Sequence, residues 1–259
     1  MTSPVTAIHS RDNALVKELR RLVQDSTAYR KQGRVWIEGD HLCRAALARG
    51  VRPSLAVFSE SFWPQAQIEY RQVADKSVVV ADALLADISG LESPSPMGFL
   101  MDLPAGMALQ PGVPTVVLDR LQDAGNVGSI LRSASAFGFV QVVALKGTAA
   151  LWSAKVLRAG MGAHFALHLV EGATPDDIDQ LGLPLLATSS HDGSYLHQAA
   201  LPWPCGWVMG HEGQGVCAEL QERAGLHIRI AQPGGEESLN VGAAAAICLH
   251  ASAAAHAVR

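Results

Sequence analysis

From Thr115 onward the chain alternates short apolar runs with helical segments: T-V-V-L-D, V-Q-V-V-A-L around Val140 to Leu145, L-L-A-T, G-W-V-M and H-I-R-I. Near-continuous apolar runs of this kind, separated by helix-length segments, belong to strands buried on both faces. They predict a mainly parallel sheet covered by helices. The predicted strands are Thr115 to Asp119, Val140 to Leu145, Phe165 to Val170, Leu185 to Thr188, Gly206 to Met209 and His227 to Ile230. Helices are expected over Asn126 to Phe137, Trp152 to Arg158, Asp176 to Leu181, Cys217 to Ala224 and the Ala-rich segment after Asn240.

The front of the chain follows a different pattern. Asp12 or Asn13 can cap a helix whose Leu15, Val16, Leu19, Leu22 and Val23 share a face, with Lys17, Arg20 and Arg21 on the others. A strand at Arg34 to Glu38, a helix from Asp40 to Arg49 closed by Gly50, and a strand at Ser54 to Ser59 follow. A helix around Gln65 to Ala74, a strand at Ser77 to Val80 and a helix at Ala83 to Ile88 complete a small α/β unit. Prolines 94, 96, 104, 111 and 114 then stiffen the chain, with a short strand possible at Gly98 to Met101. We read residues 1–105 as one domain, a linker over about 92–113, and 114–259 as a second domain.

Charge separates the same regions. The net charge is −4, yet residues 1–52 alone carry +5, leaving −9 for the rest. A basic front on an acidic body suits a chain that holds a polyanion at one end, and Arg11, Lys17, Arg20, Arg21, Arg30 and Lys31 are the candidate phosphate contacts. A solvated helix surface would carry the same charges. Four scattered cysteines, with no C-x-x-C pair, point to neither zinc nor disulfides, so no metal is expected. No apolar run is long enough for a membrane span and the N-terminus lacks a signal-peptide pattern, so a soluble cytoplasmic protein is expected.

Three polar stretches fall at strand ends, where open α/β sheets bind ligands. The first, L-D-R-L-Q-D-A-G-N-V-G-S-I-L-R, places Asn126 at the opening of a helix and Arg132 less than two turns along it; taken alone these are a helix cap and a surface charge. The second, W-V-M-G-H-E-G-Q-G-V, has three glycines around Glu212, in a spacing that fails the dinucleotide fingerprint and instead suits close approach of backbone to a flat ligand. His211 reads as a turn residue. In the third, I-A-Q-P-G-G-E-E-S-L-N-V, Ser238 can cap the final helix and Asn240 can bond within the loop.

In this order and spacing, N-x-G-x-x-x-R, G-x-E-x-x-G and S-L-N-V resemble the SpoU (TrmH) family of RNA 2'-O-ribose methyltransferases. N-A-L-V-K-E-L and V-W-I-E-G more loosely resemble that family's auxiliary RNA-binding domain, an L30-like α/β unit. The resemblance implies a SPOUT-type C-terminal domain with a deep trefoil knot, S-adenosyl-L-methionine as cofactor, and a homodimer through the C-terminal domain. It carries Asn126, Arg132, Glu212, Ser238 and Asn240 over as the catalytic polar set, with Gly210, Ile230, Leu239 and Thr188 as cofactor contacts. The substrate implied is structured RNA, ribosomal first and transfer RNA second. A non-catalytic RNA-binding or ribosome-assembly protein of the same fold would not need the polar set. One departure stands out: the family's I-P-M is here Ile230-Ala231-Gln232, followed by Pro233.

Overall fold

A computed structural model of the chain describes residues 5–103, 106–189, 192–234 and 238–257. It separates into two units, residues 1–105 with 152–165, and residues 106–151 with 166–259.

The first unit begins with an edge strand, β1 (Val5–Ile8), and helix α1 (Ala14–Gln24). Asn13 starts the helix, its side chain accepting the Leu15 N–H at 2.9 Å. The apolar stripe predicted for α1 buries Val16, Leu19 and Leu22. After α2 (Ala28–Gln32), β2 (Arg34–Glu38), α3 (Asp40–Ala48), β3 (Leu55–Ser59), α4 (Ile68–Gln72), β4 (Ser77–Val80), α5 (Asp82–Ile88) and β5 (Met97–Asp102) follow. The sheet runs β1-β4-β3-β5-β2, parallel between β1, β4 and β3, antiparallel at β5. Thus Met97–Asp102, inside the stretch read as linker, is an interior strand: its two neighbours satisfy its backbone, and Met97, Phe99 and Met101 enter the core. Phe58, Phe99 and Tyr70 build this core, and Leu157, Trp152 and Phe165 pack into it from the segment 152–165, which contains α7 (Ala154–Gly160).

The second unit comprises β6 (Thr115–Leu118), α6 (Ala124–Ala136), β7 (Gln141–Leu145), β8 (His168–Ala173), β9 (Leu185–Thr188), β10 (Ser194–Tyr195), β11 (Gly206–Met209), α8 (Ala218–Arg223), β12 (Leu226–Arg229) and α9 (Val241–Ala257). Its seven strands form one sheet in the order β10-β12-β9-β11-β6-β7-β8, and every pairing is parallel. β6, β7 and β11 are buried along their whole length, which is why their sequences show no polar alternation. Successive residues of β11 serve opposite faces. Val208 joins the cluster of Val117, Val143 and Leu220 of α8, whereas the Trp207 indole donates to Ser252 of α9 at 2.9 Å. No helix among the described residues is long and apolar enough to cross a membrane.

At two places 3₁₀ geometry stands where a strand or α-helix was predicted. Phe165 and Ala166 lie in a 3₁₀ turn, Ala163–Ala166, and the strand begins only at His168. The run F-A-L-H-L-V has the composition of a strand, but Phe165 is drawn into the first unit's core and pairing with β7 starts at Gln141 and His168. The helix expected at Asp176 to Leu181 is 3₁₀, opened by Thr174 and Asp177, which hold each other's backbone.

Candidate functional site at the carboxyl edge of the parallel sheet

The register sets Leu118 beside Met209 and Thr188 beside Ile228, so β6, β9, β11 and β12 all end at one edge of the sheet. The loops that leave them carry the three polar stretches. After β6, Asp119 is buried and Arg120 takes a left-handed backbone, φ 59°. Helix α6 then starts at Ala124, two residues before the predicted start, because Asp123 is its cap and accepts the Asn126 N–H at 2.7 Å. Asn126 therefore sits in the first turn of the helix with its amide free for tertiary bonds.

After β11, Gly210 allows the chain to fold back on itself. A side chain there would lie 2.2 Å from the Val216 nitrogen and 2.3 Å from the Gly215 carbonyl carbon. His211 and Gly215 close the loop with reciprocal backbone bonds of 3.0 and 2.8 Å, and the His211 Nδ1 accepts from Gly213 N–H at 3.0 Å, a turn role. Asp119 and Arg120 hold this loop from outside. The Asp119 carboxylate accepts the Cys217 N–H at 2.6 Å and the Arg120 Nε–H at 2.7 Å, while Arg120 Nη1 donates to Gln214 at 3.2 Å.

Glu212 at the loop tip accepts the backbone N–H groups of Gln122 at 3.3 Å and Asp123 at 3.2 Å, and the Asn126 amide at 3.2 Å. Partial burial pushes its carboxyl up, but its own backbone N–H, the Asn126 amide and the Asp123 and Gln122 N–H groups outweigh that and hold it below the ordinary carboxylate value. The chain of bonds continues. The Asn126 carbonyl accepts from the Asn240 amide at 2.9 Å, and the Asn240 carbonyl accepts Gly242 and Ala243 N–H at 2.9 and 3.2 Å. Asn240, not Ser238, thus caps α9. Because each amide donates on one side and accepts on the other, the polarity runs one way, from the first turn of α9 to the Glu212 carboxylate.

A cavity of about 300 Å³ adjoins this chain. Its lining includes Thr188, Gly210, Glu212, Ile230, Leu239 and Asn240, with Ser238 also on the wall. The Thr188 hydroxyl donates to the Val208 carbonyl at 3.0 Å. Seven of the nine residues carried over from the family resemblance thus line one cavity, and an eighth, Asn126, is bonded to two of them. The ninth, Arg132, is exposed on α6, is not part of the lining, and makes no hydrogen bond or ion pair among the described residues. The sequence reading missed the Asp119-Arg120 clamp, whose signal was an acidic residue directly after a buried strand, and the capping role of Asp123; Gln232, noted there as a departure from I-P-M, and the buried Cys248 also line the cavity. Burial pushes the Cys248 thiol up to about 12, so it stays neutral. No cluster of three or more metal-ligating side chains occurs among the described residues.

In the first unit, the six basic candidates differ from one another. Lys17 pairs with Asp12 at 2.8 Å and Arg20 with Asp87 at 2.5 Å, while Arg30 lies 5.6 Å from the Tyr29 ring centroid. Arg11, Arg21 and Lys31 are exposed. Lys17, Arg20 and Arg21 border a shallow depression along α1.

Comparison with known proteins agrees with both units. Residues 114–250 match the SpoU rRNA Methylase family and residues 13–98 an MRM3-like substrate binding domain. The 23S rRNA (guanosine(2553)-2'-O)-methyltransferase RlmP of Bacillus subtilis is 28% identical over 94% of this chain and 97% of its own. An uncharacterised tRNA/rRNA methyltransferase of Synechocystis is 30% identical over 96% of this chain and 94% of its own. Among solved structures, an AdoMet-bound rRNA methyltransferase from Sinorhizobium meliloti superposes with a TM-score of 0.84 at 26% identity, covering 97% of this chain and 98% of that one. A TrmH-family RNA methyltransferase from Porphyromonas gingivalis gives 0.79 at 30% identity, covering 93% and 97%. With a family match over more than half its length and relatives aligned end to end, this chain belongs to the SpoU rRNA methylase family.

Proposed function

We propose that this protein transfers a methyl group from S-adenosyl-L-methionine to a ribose 2'-hydroxyl of ribosomal RNA. The observation that carries the reading is the directed chain from Asn240 through Asn126 to Glu212 on the wall of the cavity, with Arg132 exposed on the same helix as Asn126. A structural cap would satisfy Asn240 locally; here its amide spans 114 residues to reach Asn126.

The residues at the cavity suit the cofactor. Gly210 keeps the wall bare where any side chain would strike backbone, and Ile230 and Leu239 offer apolar surface, with Thr188 at the strand end. When bound there, S-adenosyl-L-methionine supplies the electrophilic methyl group. The protein's part is to hold the ribose hydroxyl in line and stabilise the charge that develops on its oxygen. A guanidinium is a standing cation and not a base, so Arg132 binds the adjacent phosphate and stabilises the developing alkoxide, while the hydroxyl proton leaves to phosphate or water. Asn126, Ser238 and Asn240 orient the ribose, and Glu212 fixes Asn126. The exposed cations of the first unit contact RNA phosphates without reading sequence. The same reading includes the knotted threading, the domain division near residue 105, a cytoplasmic location and a homodimer through the C-terminal unit. In support of the last, α9 is apolar around its circumference and Ile247 is 41% exposed.

Labelled methyl transfer to unmodified ribosomal and transfer RNA, with mapping of alkali-resistant linkages, tests the reading. Arg132→Ala should lower the rate by roughly 100-fold or more with folding unchanged. Near-normal methylation by that variant would remove Arg132 from the chemistry, and methylation of transfer RNA alone would overturn the ribosomal assignment.

A further inference from the structure

Gln232 lies on the segment leaving β12, two residues beyond Ile230, and lines the same cavity as Ile228, Ile230 and Leu239. Its Oε1 is buried and has no hydrogen-bond partner among the described residues. Buried polar atoms are nearly always satisfied, and an acceptor left unmet costs free energy. Because Gln232 lines the cavity, rotation about its side-chain torsions would turn this oxygen toward a donor supplied by a ligand there. Gln232 also stands where this chain departs from the I-P-M of the family it resembles.

The cofactor offers three kinds of donor. Its α-ammonium is a cation, whose desolvation a single neutral carbonyl does not offset. Its ribose hydroxyls both donate and accept, so they place no demand on the partner. Its adenine amine is neutral, donates only, and is attached to a flat ring suited to aliphatic surface such as Ile228, Ile230 and Leu239. Resting on the cofactor assignment above, we propose that Gln232 Oε1 accepts a hydrogen bond from the exocyclic amine of the cofactor's adenine and makes this protein selective for adenine over purines that lack the amine.

The test is calorimetric binding to the full chain of S-adenosylhomocysteine and of S-inosylhomocysteine, in which a carbonyl oxygen replaces the amine and would face Oε1. Wild type should prefer the adenosyl compound by at least about tenfold, the size of one lost bond to a buried acceptor. Gln232→Met and Gln232→Leu, checked for folding by thermal melting, should bring the ratio close to one. Equal binding of the two compounds by wild type, or an unchanged ratio in whichever variant folds, overturns the role of Gln232 while leaving the cofactor assignment standing. Failure of wild type to bind S-adenosylhomocysteine at all overturns both.

Discussion

The two units use polar side chains in opposite ways. On α1 and α3 of the first, cations pair one to one: Lys17 with Asp12, Arg20 with Asp87, Arg44 with Asp40 one helical turn away. These are surface ion pairs, each worth at most about 1 kcal/mol, and any one can be lost without disturbing the rest. In the second, Glu212, Asn126 and Asn240 belong to one chain of bonds that ties the loop after β11 to the first turns of α6 and α9. No member can be removed without leaving another's donor or acceptor unmet. Binding a polyanion tolerates the first arrangement, since each contact adds a similar increment. Holding a reacting hydroxyl in line requires the second, because small displacements are costly to rate.

The largest effect should come from the residue that lets the interlocked arrangement form. In Gly210→Ala the added carbon meets backbone at Val216 and Gly215, neither of which can rotate away. The loop carrying Glu212 must shift, with a stability loss of about 3 kcal/mol by denaturant midpoint. Cofactor binding should fall below detection. A variant that keeps both would mean that the loop has slack and that the contrast between the units is overstated.

Next in size is the coupling within the chain of bonds. Glu212→Ala and Asn240→Ala share Asn126 as a partner, so the double variant should lose less activity than the two single losses combined, with a coupling of about 1 kcal/mol. The coupling should also depend on pH with a defined sign. The folded-state value of Glu212 lies below its unfolded value, so the stabilisation from its charge is complete above the unfolded value and is lost as pH falls through the folded one. Repeating the cycle from neutral pH downward should show the coupling persisting into the ordinary carboxylate range and vanishing on its acid side. Strict additivity at neutral pH would reduce the site to independent contacts, as in the first unit.

The same contrast explains what could be read from the sequence. The parallel sheet was legible because burial on both faces leaves β6, β7 and β11 almost wholly apolar, with Thr115 and Gln141 as the buried polar residues in them. The polar set was proposed from the ordered motifs that resemble the SpoU (TrmH) family, since taken singly Asn126 read as a cap, Glu212 as a turn carboxylate and Asn240 as a loop bond. Which residue caps which helix was not. Ser238 and Asn240 are both competent caps, and only the bond from Asn240 to Asn126 selects between them. Asp123 took the role of starting α6 for a similar reason, through a carboxylate three residues ahead of the bond it makes. The strand start at Phe165 was misread because that residue answers to a core built by residues more than fifty positions earlier. Local propensity does not report such a partner.

The smallest expected effect concerns the basic helix, and it shows whether the first unit's cations are equivalent. Lys17→Ala and Arg21→Ala should each lower RNA affinity modestly and to a similar degree for any RNA sequence, because phosphate contacts place the nucleic acid without discriminating bases. Each should reduce the slope of log affinity against log salt concentration by about 1, and the double variant by about 2. Lys17 starts from a pair with Asp12 that RNA must displace, so its increment should be the smaller of the two. Fluorescence anisotropy across a salt series separates these outcomes. A loss confined to one RNA sequence, or a double variant far weaker than additivity allows, would mean that the first unit also reads its substrate through interlocked groups.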